Sequence, residues 1–484
     1  MMDSVLTSLK QNFDHSETPE ERAYYETPER GERGLSCLVL FPKTTRDVQH
    51  ITRTCYDHDI PMLPQGARTG MVGGSTPDPR GDNPPVIIST AKMNRIFGIN
   101  ALHGTAHVQA GVAIATLNET AEEKRVFFPI KVAGGAPHIG GAIATNAGGG
   151  NFLLYGGVRE QVLGLEAVLP DGRLLNTITH VKKDNTGPNL MYDFIGSEGA
   201  FGIITSALVK MHAVPKQQKV ALFALESPEK TMELFQYFQK HHAHEMSAFE
   251  YMSGTAFKKG KEGKQDPFDR EYPDYVLVEL SSHLQEETGH YRYHLNDVFV
   301  HILDNIVGED SAMVLDGVDQ RPEHLWALRE GITESLKHTA KKEKSSIIGN
   351  DISVPIESMP AFIREASKAV QDACRTMHLD VEFYPFGHVG DGNVHFNFKV
   401  NGQVTPEQRT LLKKEVWSVV QDFSGSVSAE HGVGRHNIAA MELKNPVEID
   451  LLRRKKQLYD PKGLMNQGVM FDSPNLSKNE SKGR

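Results

Sequence analysis

The chain has 484 residues, of which 39% are hydrophobic and 24% charged, so it is long enough for two to four globular domains with large cores. With 52 basic and 62 acidic residues its net charge is −10, which argues against a nucleic-acid binder and against electrostatic docking on anionic membranes. No apolar run approaches the roughly 18 residues of a membrane-spanning helix. The N-terminus has no basic stretch before an apolar one, so we expect no secretory signal. The three scattered cysteines make no disulfide framework, which favours a cytoplasmic protein.

The first half of the chain alternates short strands and helices around two segments rich in glycine. The first glycine segment, residues 64–75, follows an apolar strand, and the second, residues 134–150, contains seven glycines. We expect the second to be neither regular helix nor regular strand, because glycine weakens both. The other predicted elements are helix-compatible residues 1–35, a strand at 38–42, a helix at 45–58, a strand at 60–63, a helix at 114–124, and strands at 162–169 and 201–205.

The pattern changes near residue 214 to longer strands and amphipathic helices. Residues 256–273 are charged and are predicted to form a loop, and residues 475–484 are predicted to be a disordered tail. The predicted elements are strands at 219–225 and 275–281, a helix at 228–241, helices at 359–373 and 411–423, and an antiparallel pair of strands at 381–386 and 394–399.

The two glycine segments have the character of a cradle for a phosphate and a flat ligand. Glycine permits positive φ and close backbone approach, so successive N–H groups can point into one concavity. The spacing matches neither the dinucleotide fingerprint nor the nucleoside triphosphatase loop. One glycine loop is usually a tight surface turn, but two in one apparent domain favour a ligand site.

These segments resemble a known flavoprotein family. Together with K-D-N-T-G at 183–187 and F-I-G-S-E-G-A-F-G-I-I-T at 194–205, they are similar to the FAD domain of the vanillyl-alcohol oxidase / p-cresol methylhydroxylase superfamily. More narrowly, they resemble the FAD-linked D-2-hydroxyacid dehydrogenases, which include D-lactate dehydrogenase, the glycolate oxidase flavin subunit and D-2-hydroxyglutarate dehydrogenase. The resemblance implies an α+β fold, with a two-lobed FAD domain and an antiparallel-sheet substrate domain with covering helices.

The resemblance also implies which residues hold FAD. Residues 66–70 and Ser75 would take the pyrophosphate, residues 140–147 the isoalloxazine, and residues 199–204 the adenine end. Many superfamily members attach FAD through a His in the first loop, but residues 65–68 offer none here, so we expect non-covalent FAD. The expected FAD-binding residues are Pro64, Gln65, Gly66, Ala67, Arg68, Thr69, Gly70, Gly74, Ser75, Gly135, His138, Gly140, Gly141, Ala144, Thr145, Asn146, Gly148, Gly149, Glu198, Gly199, Gly202, Ile203, Ile204 and Asn466.

A second group of chemically active residues lies in the last hundred residues. In G-H-V-G-D-G-N-V-H-F-N-F, residues 387–398, the turn can bring His388 beside His395, and two imidazoles across a hairpin suit a divalent metal. Glu430 offers a third ligand in a glycine-flanked loop, and His431 beside it is a candidate base. A single histidine is more often structural. The family resemblance adds that the metal is Zn²⁺ or Mn²⁺ and that Asn397 contacts substrate.

The segment W-A-L-R-E-G-I-T at 326–333 resembles the family segment whose Arg and Thr bind the substrate carboxylate, here Arg329 and Thr333. A planar guanidinium can bind a carboxylate in bidentate fashion, although a helix-surface Arg is the ordinary alternative. The D-2-hydroxyglutarate enzymes carry a Lys for the distal carboxylate at a slot held here by Gly349. Lys342, Lys344 or a loop residue could substitute, so D-lactate, glycolate and other D-2-hydroxyacids stay open.

We therefore predict an FAD-dependent D-2-hydroxyacid dehydrogenase. It has an FAD-binding domain at 1–213, a substrate and metal domain at 214–425 and a C-terminal segment at 426–474 that returns to the flavin. Hydride would pass from C2 to flavin N5, and electrons would leave to a quinone, a cytochrome or an electron-transfer flavoprotein. The alternatives are an oxygen-using oxidase of this fold, a non-catalytic flavin subunit of a complex, and a structural metal protein without flavin. Peripheral contact with the inner face of a membrane and a homodimer stay open.

Overall fold

The computed structural model describes residues 2–132, 134–181, 183–284, 287–288, 291–306, 314–319 and 321–471, so the predicted tail at 475–484 lies outside the described residues. The helices are α1 Met2–Asn12, α2 Pro19–Glu26, α3 Thr45–Asp57, α4 Ile114–Ala121, α5 Ile139–Thr145, α6 Phe152–Tyr155, α7 Val158–Gln161, α8 Pro228–His242, α9 Gly254–Gly260, α10 Leu295–Ile306, α11 Pro322–Glu343, α12 Met359–Thr376, α13 Pro406–Asp422 and α14 Pro446–Tyr459. The strands are β1 Leu38–Leu40, β2 Met62–Gln65, β3 Val86–Ser89, β4 Ile96–Asn100, β5 Thr105–Gln109, β6 Val126–Phe127, β7 Val162–Val168, β8 Leu174–Asn176, β9 Ile203–Lys210, β10 His212–Ala213, β11 Gln217–Leu225, β12 Met246–Ser253, β13 Asp274–Ser282, β14 Glu287–Thr288, β15 Tyr291–Arg292, β16 Asp316–Asp319, β17 Ser346–Ser353, β18 Val381–His388 and β19 Asn393–Val400.

The predicted α+β character is confirmed, and two local predictions are wrong. The second glycine segment contains a helix, α5, where we expected neither helix nor strand. The segment at 256–273, expected to be a loop, begins inside helix α9, which Ser253 caps by accepting a hydrogen bond from the Ala256 N–H. In both segments a short helix is stabilised by the surface on which it packs. Its glycines or charged residues give no helical pattern in the sequence.

The chain divides into two compact units, each assembled from separated stretches. The first unit comprises residues 1–149, 156–213 and 430–484, and the second comprises residues 150–155 and 214–429. The division differs from the predicted boundaries in two respects. The short helix α6 falls in the second unit, where it packs on β12, and the returning C-terminal stretch starts at residue 430.

Two main sheets build the first unit. A parallel three-stranded sheet has the order β1-β3-β2, and an antiparallel five-stranded sheet has the order β4-β5-β9-β7-β8. Helix α3 begins with a capping box between Thr44 and Asp47 and buries Val48 and Ile51 in the core of the smaller sheet. The C-terminal stretch completes this core, because Leu464 and Met465 are buried in it and Met465 forms a bridge to Met62 of β2.

The second unit is built around an antiparallel sheet with strand order β16-β11-β13-β12-β18-β19-β17. Helices α8, α10, α12 and α13 pack on one face, and α9 and α11 pack on the other. On β19, Val394, Phe396 and Phe398 are buried on the first face, so His395 and Asn397 point to the face of α11. Among the described residues, no helix combines the length and the apolar character needed to cross a bilayer.

Candidate active site

The first glycine segment of the first unit is closed by a buried glutamine. Strand β2 ends at Gln65, whose side chain is 2% exposed. Its Nε2 donates to the carbonyl oxygens of Ser75, at 2.7 Å, and Tyr25, at 2.8 Å. The glutamine therefore joins the two ends of the segment and fixes the shape of the loop between them.

Arg68 of this segment is expected to bind FAD, but its side chain is bonded to other parts of the protein. It has a φ of +61°, its Nη1 donates to the Tyr24 carbonyl at 2.5 Å and the Thr27 carbonyl at 3.1 Å, and its guanidinium carbon lies 3.7 Å from the centroid of the Tyr24 ring. This guanidinium fastens the loop to the end of α2, which leaves the Arg68 backbone as the part available to a ligand.

The second glycine segment packs as helix α5, and its glycines have different surroundings. A Cβ added to Gly140 would lie 2.6 Å from the Ala110 Cβ, so this glycine allows close packing on the neighbouring chain. A Cβ added to Gly141 would meet nothing within 4 Å. The helix ends at Asn146, which has a φ of +50°. Gly141, one residue after Gly140, therefore faces open space.

The two glycine segments lie against each other, as predicted. A Cβ on Gly66 would be 3.7 Å from the Gly141 Cα and 3.8 Å from the His138 Cβ. A Cβ on Gly135 would be 2.6 Å from the Thr69 Cγ2. The two segments are therefore packed against each other, and Gly66 and Gly141 place no side chain between them.

Unsatisfied polar atoms line the same segments. Among the described residues, His138 Nδ1, Asn146 Oδ1 and Gln65 Oε1 are buried and make no hydrogen bond. Buried polar atoms in folded proteins usually have a partner. Burial also lowers the pKa of His138, so its ring is neutral and offers both a donor and an acceptor. A flat ring carrying donors and acceptors, such as a flavin, fits these atoms and the open face of Gly141.

Residues 199–204, expected at the adenine end of FAD, pack against other parts of the first unit. A Cβ on Gly199 would lie 2.5 Å from the Pro64 Cγ, so the turn sits directly against the end of β2. Ile203 and Ile204 are 1% and 6% exposed and belong to two of the hydrophobic cores of the first unit. Only the backbone of these two residues is left for a cofactor.

Asn466, expected to contact FAD, has a fully engaged amide. Its Nδ2 donates to the carbonyls of Gly74 at 2.9 Å and Glu198 at 2.6 Å, and its Oδ1 accepts from Arg435 Nη2 at 2.7 Å. This side chain ties three stretches of the first unit together. Thr145 likewise donates its hydroxyl back to the Gly141 carbonyl at 3.0 Å.

In the second unit, the predicted antiparallel pair is confirmed as β18 and β19, in which Phe386 pairs with His395. His388 is the last residue of β18, and its ring centroid lies 5.4 Å from that of His395. Both side chains are half-buried, with 19% and 16% exposed. The structure therefore brings the two predicted imidazoles together within one unit.

A residue that the sequence analysis missed holds one of these imidazoles. Glu250 of β12 pairs with His388 across the sheet, and its side chain is 1% exposed. One carboxylate oxygen accepts from His388 Nδ1 at 2.5 Å and the other accepts from Arg329 Nε at 2.8 Å. Burial alone would raise the pKa of Glu250, but the charges of His388 and Arg329 lower it to about 2. The available signal was one carboxylate inside the apolar run A-F-E-Y-M at 248–252.

Arg329 is a buried residue of α11 and not a surface arginine. It is 8% exposed, and its guanidinium carbon lies 4.6 Å from the centroid of the Phe386 ring. Its Nε is used by Glu250, and within the described residues no hydrogen bond from either Nη is found. Thr333 follows one helical turn later on the same face. The Nη edge of the guanidinium is thus available for a ligand carboxylate.

The space beside Gly349 is taken by an amide. Gly349 pairs with Asn397, and a Cβ added to the glycine would lie 2.8 Å from Asn397 Oδ1. Lys342 and Lys344 are exposed at the C-terminal end of α11, roughly 20 Å along the helix from Arg329. Both lysines are therefore remote from Arg329 along α11.

Glu430 and His431 begin the return of the chain to the first unit, in a stretch without regular structure. In that unit Glu430 Oε1 accepts from the Gly149 N–H at 3.2 Å. The preceding residue, Ala429, is the last of the second unit, and its N–H donates to the Asp351 carbonyl at 3.1 Å. Asp351 Oδ1 in turn lies 3.5 Å from His395 Nδ1.

The comparisons with known proteins agree with this geometry. Residues 37–178 match an FAD binding domain, and residues 214–470 match the C-terminal domain of FAD linked oxidases. The chain is 36% identical over 442 residues to the mitochondrial D-2-hydroxyglutarate dehydrogenase of Rattus norvegicus, covering 90% of this chain and 78% of the relative. It is 33% identical over 441 residues to a putative mitochondrial D-lactate dehydrogenase of Schizosaccharomyces pombe, covering 90% and 81%. The solved structure of p-cresol methylhydroxylase with bound substrate superposes with a TM-score of 0.70 at 15% identity, covering 98% of this chain and 97% of that one.

The chain shares the fold of p-cresol methylhydroxylase, and the two family matches place it in the class of FAD-binding oxidoreductases. Within it, the chain belongs to the FAD-linked D-2-hydroxyacid dehydrogenase family, whose members act on a CH–OH donor.

Proposed function

We propose that the protein oxidises a D-2-hydroxyacid, such as D-lactate or D-2-hydroxyglutarate, to the corresponding 2-oxoacid. The observation that carries the proposal is the arrangement Arg329–Glu250–His388 beside His395, in a chain with an FAD-binding domain. It combines a carboxylate-binding group with a pair of imidazoles, which are the two functions that a 2-hydroxyacid requires.

Arg329 would bind the substrate C1 carboxylate. Because Glu250 occupies Nε and Phe386 supports the guanidinium plane, the two Nη groups keep one orientation. That edge can donate two parallel hydrogen bonds to a carboxylate. Thr333, one turn along α11, would add a hydroxyl, and Asn397 would contact the substrate from β19.

His388, His395 and Glu430 would hold Zn²⁺ or Mn²⁺. Glu250 accepts the Nδ1 proton of His388, so Nε2 is the ring atom with which His388 would bind a metal. The ligand set of two imidazoles and a carboxylate leaves positions for the substrate. When bound, the cation would polarise the C2 hydroxyl and make it more acidic.

His431 would act as the base that removes the C2 hydroxyl proton. The two glycine segments would hold FAD. Its binding would be non-covalent, since residues 65–68 provide no histidine for covalent attachment. When bound, FAD would supply the acceptor for the hydride that leaves C2. In turnover, the electrons would leave the flavin to a quinone, a cytochrome or an electron-transfer flavoprotein.

The base is tested by His431→Ala in the holoenzyme. The variant should keep its FAD and lose at least about 100-fold in the rate of flavin reduction by substrate, because general-base catalysis contributes about that much. His103→Ala, an exposed histidine of the first unit, serves as the matched control and should reduce at the wild-type rate. A His431→Ala protein that bleaches as fast as the wild type would refute the role.

A further inference from the structure

The stretch that contains the proposed base is bonded to a buried carboxylate. We call residues 430–436 the return loop. Glu198 Oε1 accepts from the Val433 N–H at 2.8 Å, and Glu198 Oε2 accepts from the Gly434 N–H at 2.8 Å. Both carboxylate oxygens are therefore occupied by consecutive amides, two and three residues after His431.

Glycines on both sides let the carboxylate fit closely. A Cβ on Gly432, which has a φ of +77°, would lie 2.8 Å from Glu198 Oε1, and a Cβ on Gly74 would lie 3.1 Å from Oε2. The carboxylate thus lies between the first glycine segment and the return loop. A side chain at either glycine would displace it.

Glu198 is itself fixed by its backbone. Its N–H donates to the Ala144 carbonyl at 2.7 Å, at the C-terminal end of α5, and its carbonyl accepts from Asn466 Nδ2 at 2.6 Å. With a φ of +49°, the residue adopts a left-handed conformation that directs its side chain toward the return loop. Glu198 therefore links the return loop to the C-terminal end of α5.

Arg435 supplies the opposite charge in the same buried region. Its Nη1 donates to the carbonyls of Gly73 at 2.6 Å and Thr76 at 2.7 Å, so the return loop is also bonded to the end of the first glycine segment. Burial lowers the pKa of Arg435 to about 10, and the guanidinium stays charged at neutral pH. Burial raises the pKa of Glu198, and the hydrogen bonds from Val433 and Gly434 and the charge of Arg435 oppose that rise.

From these contacts we infer that Glu198 is a positioning residue: it fixes the return loop on the flavin-binding segments and thereby sets the position of the His431 imidazole. The inference rests on the proposed function, in which His431 is the base. It also revises the expectation that Glu198 binds FAD, because both of its carboxylate oxygens already accept hydrogen bonds from the protein and a carboxylate would repel the pyrophosphate.

The experiment compares Glu198→Gln with the wild-type holoenzyme. Glutamine has the same shape, but its NH₂ group cannot accept, so one of the two amides loses its partner. Hydrogen exchange of the peptide that contains Val433 and Gly434 should speed up by at least about tenfold. Flavin reduction at saturating substrate should slow by at least about tenfold, while the substrate Kd from the same titration stays within about twofold.

The matched control is Glu26→Gln. Glu26 is a buried carboxylate of the first unit that accepts from the Ser36 N–H and from Arg33, remote in sequence from the return loop. It should leave both readouts at wild-type values. If Glu198→Gln fails to fold, Glu198→Asp, which keeps the charge but is one methylene shorter, should change both readouts in the same direction.

Unchanged exchange at Val433 and Gly434 would overturn the inference, and so would faster exchange with an unchanged reduction rate. Failure of the proposed function is distinguishable, because in that case the wild-type flavin itself is not reduced by any D-2-hydroxyacid.

Discussion

At the scale of single residues, buried carboxylates accept hydrogen bonds from neighbouring groups and thereby orient them. Glu250 is the clearest case, because it bonds both an arginine and a histidine of the candidate site. The motif around 387–398 was enough to predict that the His388 and His395 rings lie close together. Glu250 could not be predicted, since it lies 138 residues before His388 and only the pairing of β12 with β18 brings the two together.

Glu250→Gln should weaken metal binding. The amide has one acceptor oxygen, so either His388 or Arg329 loses its partner. We expect the affinity of the metal-free protein for Zn²⁺, measured by calorimetry, to fall by about 10- to 100-fold. The control is Glu279→Gln, a buried carboxylate of the same sheet that accepts from Ser247 and Trp326 and should bind Zn²⁺ normally. A wild-type protein that binds no Zn²⁺ and no Mn²⁺ would contradict the metal site.

Asp274 should make stability depend on pH. Burial raises its pKa from 3.8 to about 6, while Tyr251 donates to it at 2.5 Å. Between these two pKa values the folded state binds a proton that the unfolded state does not, so this group stabilises the fold at acidic pH and the gain is lost as pH rises through 6. On going from pH 7 to pH 4 it should add at most about 3 kcal/mol to the free energy of unfolding.

Asp274→Asn should remove that dependence. Thermal or denaturant unfolding of the wild type and the variant at pH 7 and pH 5 measures it, and the difference between the two proteins isolates this group from other titrating ones. Equal pH dependence in both proteins would show that Asp274 titrates normally.

At the scale of elements, the predictions are correct where apolar and polar side chains alternate, and wrong where a segment consists mainly of glycine and alanine. The alternation of Val394, Phe396 and Phe398 with polar residues was enough to predict β19. Helix α5 was missed, because a run of glycine and alanine has no hydrophobic period, and the helix is stabilised by close packing that only the fold provides.

Two adjacent glycines of α5 should respond oppositely to alanine. Gly140→Ala would bring a Cβ to 2.6 Å from Ala110 and should destabilise the apoprotein by about 1–3 kcal/mol. Gly141→Ala meets nothing within 4 Å and should stabilise the apoprotein by up to about 1 kcal/mol through helix propensity, while it weakens FAD binding by filling the open face.

Apoprotein melting and FAD titration of both variants measure these effects. Normal stability in Gly140→Ala would contradict the packing argument. Wild-type FAD affinity in Gly141→Ala would contradict the assignment of that space to the cofactor.

At the scale of the whole molecule, the chain passes between its two units four times. The change of pattern near residue 214 predicts a domain boundary there, and the two compact units divide between residues 213 and 214. The assignment of residues 150–155 to the second unit was beyond sequence analysis, because it follows from contacts such as Leu153 against Gly390, where a Cβ on the glycine would lie 2.4 Å from Leu153 Cδ1. The return of residues 430–484 to the first unit places His431 on the unit that contains the glycine segments.

We propose that this flavoprotein takes electrons from D-2-hydroxyacids. The most direct measurement is an anaerobic titration of the yellow holoprotein with matched D- and L-2-hydroxyacids, among them lactate and 2-hydroxyglutarate, followed by flavin absorbance. We predict that at least one D-acid bleaches the flavin stoichiometrically and that its L-enantiomer does not. Bleaching by an L-acid and by no D-acid, or by no hydroxyacid at all, would contradict the account.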